Sequence, residues 1–310
     1  WLARHREPVH SVVGHRATKD VSRYENYTKT SSNYDDNRIA PGLQIIRRLF
    51  EGLRPRSDSP RLLDAGCGTG AYLAALHGRG GTLVGLELNE GMLARARAKL
   101  DEFDDIVLDH GSVLSMPYGD GEFDLVMFNQ VLHHLDGEDG EGGGWPKLSQ
   151  ALAETRRVLR ANGVLLINTC TQQQLADGFW YAPLIPLAIG RMARRYIPVP
   201  ALLELLDEHG LRPVAREVPF GDSFYGERAL DPSGPFDAAW RSGDSVWALA
   251  TPTELQEALQ QLQMMHDAGT VDAFVAQREQ LRRGVGQCIF IEARVSRPTG
   301  ARGAPATSSS

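Results

Sequence analysis

Leu62-Leu63-Asp64-Ala65-Gly66-Cys67-Gly68-Thr69-Gly70 decides how the rest of the chain reads. Apolar residues run into a cluster of glycines, and Ala71-Tyr72-Leu73 opens a helix directly behind it. A buried strand that turns sharply into a helix is the opening of a nucleoside-binding α/β unit. Glycine lets the main chain turn tightly and lets a ligand approach it. The free N–H groups at the helix start attract a carboxylate or phosphate. Glu87 ends the next apolar run, residues 82–86, and a carboxylate there can accept hydrogen bonds from both hydroxyls of a ribose.

Spacing narrows the ligand. A dinucleotide loop has the pattern GxGxxG, whereas these glycines fall as GxGxG and Ala71 follows. Asp64, just ahead of the loop, would repel a pyrophosphate and suits a ligand that carries a cationic ammonium and sulfonium.

Outward from the loop, strands and helices alternate, the pattern of a parallel sheet with crossover helices. Strands are predicted at residues 61–65, 82–86, 106–108, 123–128 and 164–168. Helices are predicted from 41 to 53, from 71, over 90–100 and over 148–159, with Asn162-Gly163 as the stop signal for the last. Residues 123–128 are continuously apolar, as a strand buried on both faces must be. A helix over 201–209, a strand over 213–218 and a closing strand over 288–295 complete the pattern. Thr251-Pro252-Thr253-Glu254 combines a capping box with proline at the first helical position.

The expected architecture is therefore α/β: a Rossmann-like, seven-stranded, mostly parallel sheet with helices on both faces and an antiparallel last strand. Four parts follow from it: an N-terminal helical arm over residues 1–40, a core over 41–220 and 285–297, a helical and aromatic insert over 221–284, and a disordered tail from 298. Phe224, Tyr225, Phe236, Trp240 and Trp247, with Phe179, Trp180 and Tyr181, read either as a pocket wall over a modest organic substrate or as a satellite apolar cluster.

The motifs in order resemble class I methyltransferases, in the type 11 and ubiquinone/menaquinone methyltransferase-like group. The likeness rests on residues 63–70, Val84-Gly85-Leu86-Glu87-Leu88-Asn89, Met116-Pro117-Tyr118 with Phe123-Asp124-Leu125-Val126, and residues 152–168 with Arg160 and Asn162-Gly163. It covers about residues 33–218. It implies S-adenosylmethionine as cofactor and S-adenosylhomocysteine as product. By the same resemblance Gly66, Cys67 and Gly68 wrap the methionine part, and Asp64 orders the loop and its ammonium. Glu87 holds the ribose and Leu88 packs on the adenine. The family often has an acidic residue after the glycine that is Gly111 here; this chain has Ser112 and then Val113. Asn129 and Gln130 follow the fourth strand and are expected between cofactor and substrate. Tyr34-Asp35 and Arg38 resemble an element that several relatives lay over the cofactor.

Methyl transfer is an in-line displacement in which the cofactor carries the reactivity and the protein aligns and desolvates the reactants. A base is needed only for an acceptor that must lose a proton. His133 and His134 lie at the mouth where open α/β sheets bind ligands, and imidazole titrates near neutrality. They stand as base candidates against a plain packing role. Arg191, Arg194 and Arg195 could meet a substrate carboxylate or form a solvated helix face.

Composition narrows the acceptor. A formal net charge of -6 argues against a duplex nucleic-acid partner, and Asn129-Gln130-Val131-Leu132 is not the Asn-Pro-Pro-Tyr loop of nucleic-acid amino methyltransferases. Three scattered cysteines give neither a disulfide framework nor a thiolate zinc site, so no metal is expected. No apolar run reaches the roughly 20 residues that span a bilayer. A small-molecule acceptor methylated at O, N or S, a cytoplasmic setting and a monomer or homodimer are the expectations. The chain opens on Trp1, and a transit peptide removed upstream stays open as an alternative. The competing readings are a non-catalytic cofactor-binding module and a nicotinamide-dependent oxidoreductase.

Overall fold

The computed structural model describes residues 40–53, 59–137, 144–224, 226 and 230–296. The arm with Tyr34, Asp35 and Arg38, the aromatic Tyr225 and the tail from residue 298 lie outside the described residues.

Strand β1 (Arg61–Ala65) sits inside the sheet because both of its faces are apolar or covered: Leu62 and Leu63 are each fully buried, on opposite sides. It pairs in parallel with β2 (Thr82–Glu87) on one side and β4 (Phe123–Asn129) on the other. Strand β3 (Ile106–His110) flanks β2, and β5 (Leu159–Thr169) flanks β4, again in parallel. Strand β7 (Ile289–Val295) then runs antiparallel between β5 and β6 (Leu211–Glu217). The order β3-β2-β1-β4-β5-β7-β6 is the expected seven-stranded, mostly parallel sheet with an antiparallel last strand.

Side-chain alternation splits the core in two. Leu62, Leu125, Met127, Leu166 and Phe290 face one way and pack with Ile46 and Phe50 of α1 (Leu43–Glu51) and Leu73 and Leu76 of α2 (Ala71–Leu76). Leu63, Val126, Phe128, Ile167 and Ile291 face the other way, against Leu148 and Leu152 of α4 (Pro146–Val158) and Leu202 and Leu206 of α7 (Val199–Glu208). Helix α3 (Glu90–Leu100) links β2 to β3 and begins at Asn89, whose side chain accepts from the Met92 N–H at 3.0 Å. The first core also closes the chain on itself. Gly42 lies so near the Phe290 ring that a Cβ there would sit 2.1 Å from it, and the Gly42 N–H donates to Asp222 at 2.7 Å.

Two local expectations are corrected. Asn162-Gly163 does not stop a helix: α4 ends at Val158, and Asn162, with φ of 64°, lies within β5, where the pairing register shifts between Phe123 and Leu125. The strand begins at Leu159 because that residue is already extended, so the Asn-Gly pair makes a bulge instead. The capping box at Thr251 is half formed. Thr251 accepts from the Glu254 N–H at 3.1 Å and starts α9 (Pro252–Asp267). The Glu254 carboxylate turns away and accepts from the N–H groups of Leu187 and Ala188 at 2.7 and 3.0 Å, at the start of α6 (Pro186–Arg195). A buried carboxylate gains more from a neighbouring helix N-terminus than from its own. Pro213 is accommodated in β6 because that strand is the edge of the sheet.

Helices α5 (Gln172–Asp177), α6, α8 (Ala238–Ser242), α9 and α10 (Val271–Val285) gather on the first face, over the carboxyl end of the sheet. Their aromatics pack on one another: the Tyr181 ring lies 5.9, 6.2 and 5.3 Å from those of Trp180, Trp240 and Trp247. The Tyr181 hydroxyl donates to Asp244. Arg191 is tied within this layer, donating to the Leu249 carbonyl at 2.9 Å beside the Glu254 carboxylate. No helix among the described residues is long and apolar enough to cross a membrane.

Candidate active site

The loop after β1 is shaped by backbone conformations that favour glycine: φ is 82° at Gly66 and 57° at Gly68. The N–H groups of Gly66 and Cys67 both donate to the Leu86 carbonyl, at 2.7 and 3.0 Å, which folds the loop back over β2. A Cβ on Gly66 would stand 2.6 Å from Val131, so that position is closed from behind. A Cβ on Gly68 would meet only the Met92 methyl, at 3.9 Å, so the protein leaves the space in front of Gly68 free.

Glu87 ends β2 and grips both neighbours of this space. One oxygen accepts from the Gly68 N–H at 2.8 Å and the other from the Asn89 N–H at 2.7 Å. Asp64 is buried beneath the loop and accepts from the Asn129 side-chain amide at 3.1 Å. The Asn129 carbonyl oxygen is itself buried and receives no hydrogen bond among the described residues. Asp64 and Asn129 come from adjacent strands, which the β1–β4 pairing brings side by side.

Burial pushes the Asp64 carboxyl up to about 7; the Glu87 charge adds to this and the Asn129 amide opposes it. Burial also raises Glu87, against the backbone N–H groups of Asn89, Gly68 and Leu88 that favour its charge. The Cys67 thiol is driven well up by burial and by the two carboxylates, which keeps it neutral. Among the described residues this cleft gathers acceptors: the Asp64 and Glu87 carboxylates and the Asn129 oxygen. A compact ammonium would complete both the Asp64 carboxylate and the idle Asn129 oxygen, whereas a phosphate would meet only repulsion there.

The other expected contacts border the same cleft. Leu88 is 38% exposed on its lip, and its carbonyl lies 2.9 Å from the His110 ring. Gly111 donates to the Glu87 carbonyl at 3.1 Å, which brings the Ser112 turn alongside. The Ser112 hydroxyl accepts from the Leu114 N–H at 3.2 Å, and Val113 is buried behind it.

On the acceptor side, Gln130 holds a left-handed backbone, φ 56°, one residue past β4. Its amide donates to Asn168 at 2.9 Å and accepts from the Tyr196 hydroxyl at 2.9 Å and the Cys170 thiol at 3.5 Å. His133 is buried in a short 3₁₀ turn (Leu132–His134), and its ring stacks on Tyr196 at 4.4 Å and lies 3.9 Å from His134. The structure therefore gathers Asp64, Gly66, Cys67, Gly68, Glu87, Leu88, Ser112, Val113, Asn129, Gln130, His133 and His134 along the carboxyl ends of the sheet. Sequence reading passed over Tyr72, Asn168 and Tyr196, which converge here too. Asn168 carried one signal, a polar amide ending the apolar run of β5; Tyr196 carried none, since only the packing of α6 delivers it.

Comparison with known proteins agrees with this geometry. Residues 63–167 match the model of a family described as "Methyltransferase domain". Malonyl-[acyl-carrier protein] O-methyltransferase of Legionella pneumophila is 35% identical over 166 residues, covering 52% of this chain and 50% of that protein. Demethylmenaquinone methyltransferase of Shouchella clausii is 30% identical over 144 residues, covering 43% of this chain and 57% of that one. The chain thus spans about half the length of the curated relatives it matches. Among solved structures, a protein from an antibiotic biosynthesis pathway of Anabaena variabilis, provisionally described as a methyltransferase, superposes with a TM-score of 0.62. At 20% identity, covering 83% of this chain and 98% of that one, it shows the shared fold. Residues 63–167, from the glycine loop through the fifth strand, thus resemble a methyltransferase domain and lie on a Rossmann-like sheet.

Proposed function

We propose that the protein is an S-adenosylmethionine-dependent methyltransferase that acts on O, N or S of a small molecule. The observation that carries this reading is the acceptor pair under the glycine loop: the buried Asp64 carboxylate beside an Asn129 oxygen with no donor among the described residues. That pair favours an aminoacyl cofactor over a dinucleotide.

The cofactor supplies an electrophilic methyl on a sulfonium; the chain supplies position and a dry site. Asp64 and Asn129 would take the ammonium. Gly66, Cys67 and Gly68 would present main chain to the methionine part, and Glu87 the ribose carboxylate. Leu88, Ser112 and Val113 would border the adenine, with the Ser112 turn replacing the family's acidic side chain. Gln130 would face the acceptor. His133 and His134 are the proposed base candidates for an acceptor that must lose a proton. Tyr34 remains a proposed cover for the cofactor. The named relatives act on chemically different acceptors, so the substrate is proposed only as a small metabolite. A cytoplasmic setting fits three buried cysteines that form no disulfide with one another.

Calorimetry with S-adenosylhomocysteine tests the reading, followed by transfer of labelled methyl from S-adenosylmethionine into a metabolite extract. Wild type should bind the product and label one molecule, and Glu87→Ala should weaken binding at least tenfold. Binding without any labelling would favour a non-catalytic module. Preference for a nicotinamide cofactor, or indifference to Glu87→Ala, would defeat the proposal.

A further inference from the structure

Five polar groups beneath the site join into one chain of hydrogen bonds whose direction is fixed at one end. The Pro41 carbonyl can only accept, and it takes the Tyr72 hydroxyl proton at 2.9 Å. The Tyr72 oxygen must then accept from Asn168, and it does, from the side-chain N–H at 3.1 Å. That turns the Asn168 oxygen toward Gln130, whose amide N–H reaches it at 2.9 Å. The Gln130 oxygen in turn faces the Tyr196 hydroxyl, which donates at 2.9 Å. Every donor points the same way, from Tyr196 at the end of the α6 segment to Pro41 at the start of the described chain.

The members belong to different parts of the molecule. Tyr196 follows α6 of the helical layer and stacks on His133. Gln130 and Asn168 end the neighbouring strands β4 and β5. Tyr72 lies in the first turn of α2, directly behind the glycine loop. Pro41 precedes Gly42, which Asp222 holds from the far side. Asn168 is buried and Gln130 keeps a left-handed backbone, so neither can swing freely.

We infer that Tyr196, Gln130, Asn168 and Tyr72 are positioning residues that act as one relay, making the grip of the glycine loop on its cofactor depend on where the helical layer sits. An acceptor seated under α6 would thereby tighten the cofactor site. This rests on the methyltransferase reading, because the coupled ligand is the aminoacyl nucleoside.

A double-mutant cycle read by S-adenosylhomocysteine affinity tests it. Tyr72→Phe and Tyr196→Phe each remove one hydroxyl and keep the ring, so both should fold. Each is expected to weaken binding about fivefold. The double variant should be weakened by no more than about tenfold, where independent effects would multiply to about twenty-five. Gln130→Glu keeps an acceptor for Tyr196 but cannot donate to Asn168, and should match Tyr72→Phe. Tyr196→Phe paired with Ser149→Ala, on α4 and bonded to His209, should multiply. Multiplying effects in the Tyr72–Tyr196 cycle, or unchanged affinity in Tyr196→Phe, would overturn the relay alone. No affinity of wild type for the ligand would overturn both the relay and the methyltransferase reading.

Discussion

At the scale of single residues, Asp64 carries the most consequence. Its folded carboxyl sits at about 7, raised by burial from the ordinary carboxylate range. A raised acid favours the folded protein while it is protonated. Its contribution is therefore complete below the unfolded value near 4 and is lost as pH climbs through about 7. Ligand-free protein should show a Tm that declines between about pH 4 and 7 and levels off above, and Asp64→Asn should flatten that decline. A cation against the carboxylate reverses the sign for the complex. The rise in Tm caused by S-adenosylhomocysteine should thus grow with pH across the same window in wild type and stay level in Asp64→Asn. Thermal scans with and without ligand at four pH values check both slopes. The Asp64 carboxylate was legible from sequence as a residue unsuited to a pyrophosphate, but its partner was not. Asn129 lies 65 positions away, and only the parallel pairing of β1 with β4 joins them.

The next scale is the element, and here the glycine loop separates folding from binding. Gly66→Ala places a methyl against Val131 in a left-handed conformation, so it should lower stability by about 2 kcal/mol or more in urea titrations. Gly68→Ala has open space before it and bears only the backbone penalty, about 1 kcal/mol. The ligand is expected in that space, so Gly68→Ala should weaken S-adenosylhomocysteine binding well beyond its modest effect on folding. Equal losses of stability and affinity in the two variants would contradict the assignment of the cleft. Strands and helices of the parallel core could be located from periodicity because each is local. Boundaries failed where a distant partner decides them. Asn162-Gly163 looks like a helix stop until Asp124 and β4 impose a bulge, and Glu254 looks like half of a capping box until α6 offers it two bare N–H groups.

For the whole molecule, the helical layer is knit together internally by buried polar contacts, and Glu254 is prominent among them. It accepts from Leu187 and Ala188 and lies beside Arg191, joining α9 to α6. Hydrogen bonds to a charged group contribute about 1.5–3 kcal/mol. Glu254→Ala should therefore reduce stability by about 2–3 kcal/mol and speed proteolytic nicking between α6 and α9, read by urea titration and timed digestion. An unchanged digestion pattern would show that apolar packing alone holds α9 against α6. The aromatic residues of this layer were visible in the sequence as a group, yet nothing in their spacing shows which rings touch. Tyr181 meets Trp247 across 66 residues of chain, so that contact exists only once the layer has assembled.

Strand β7 sits between β5 and β6, so among the described residues the edge strand β6 pairs with the sheet only through β7, a strand made later than either neighbour. While a ribosome is still making residues 289–295, β5 has a bare edge, Gly42 has no Phe290 to rest on and β6 has no neighbour. Until that stretch leaves the exit tunnel, the bare edge of β5 is a template for wrong pairing.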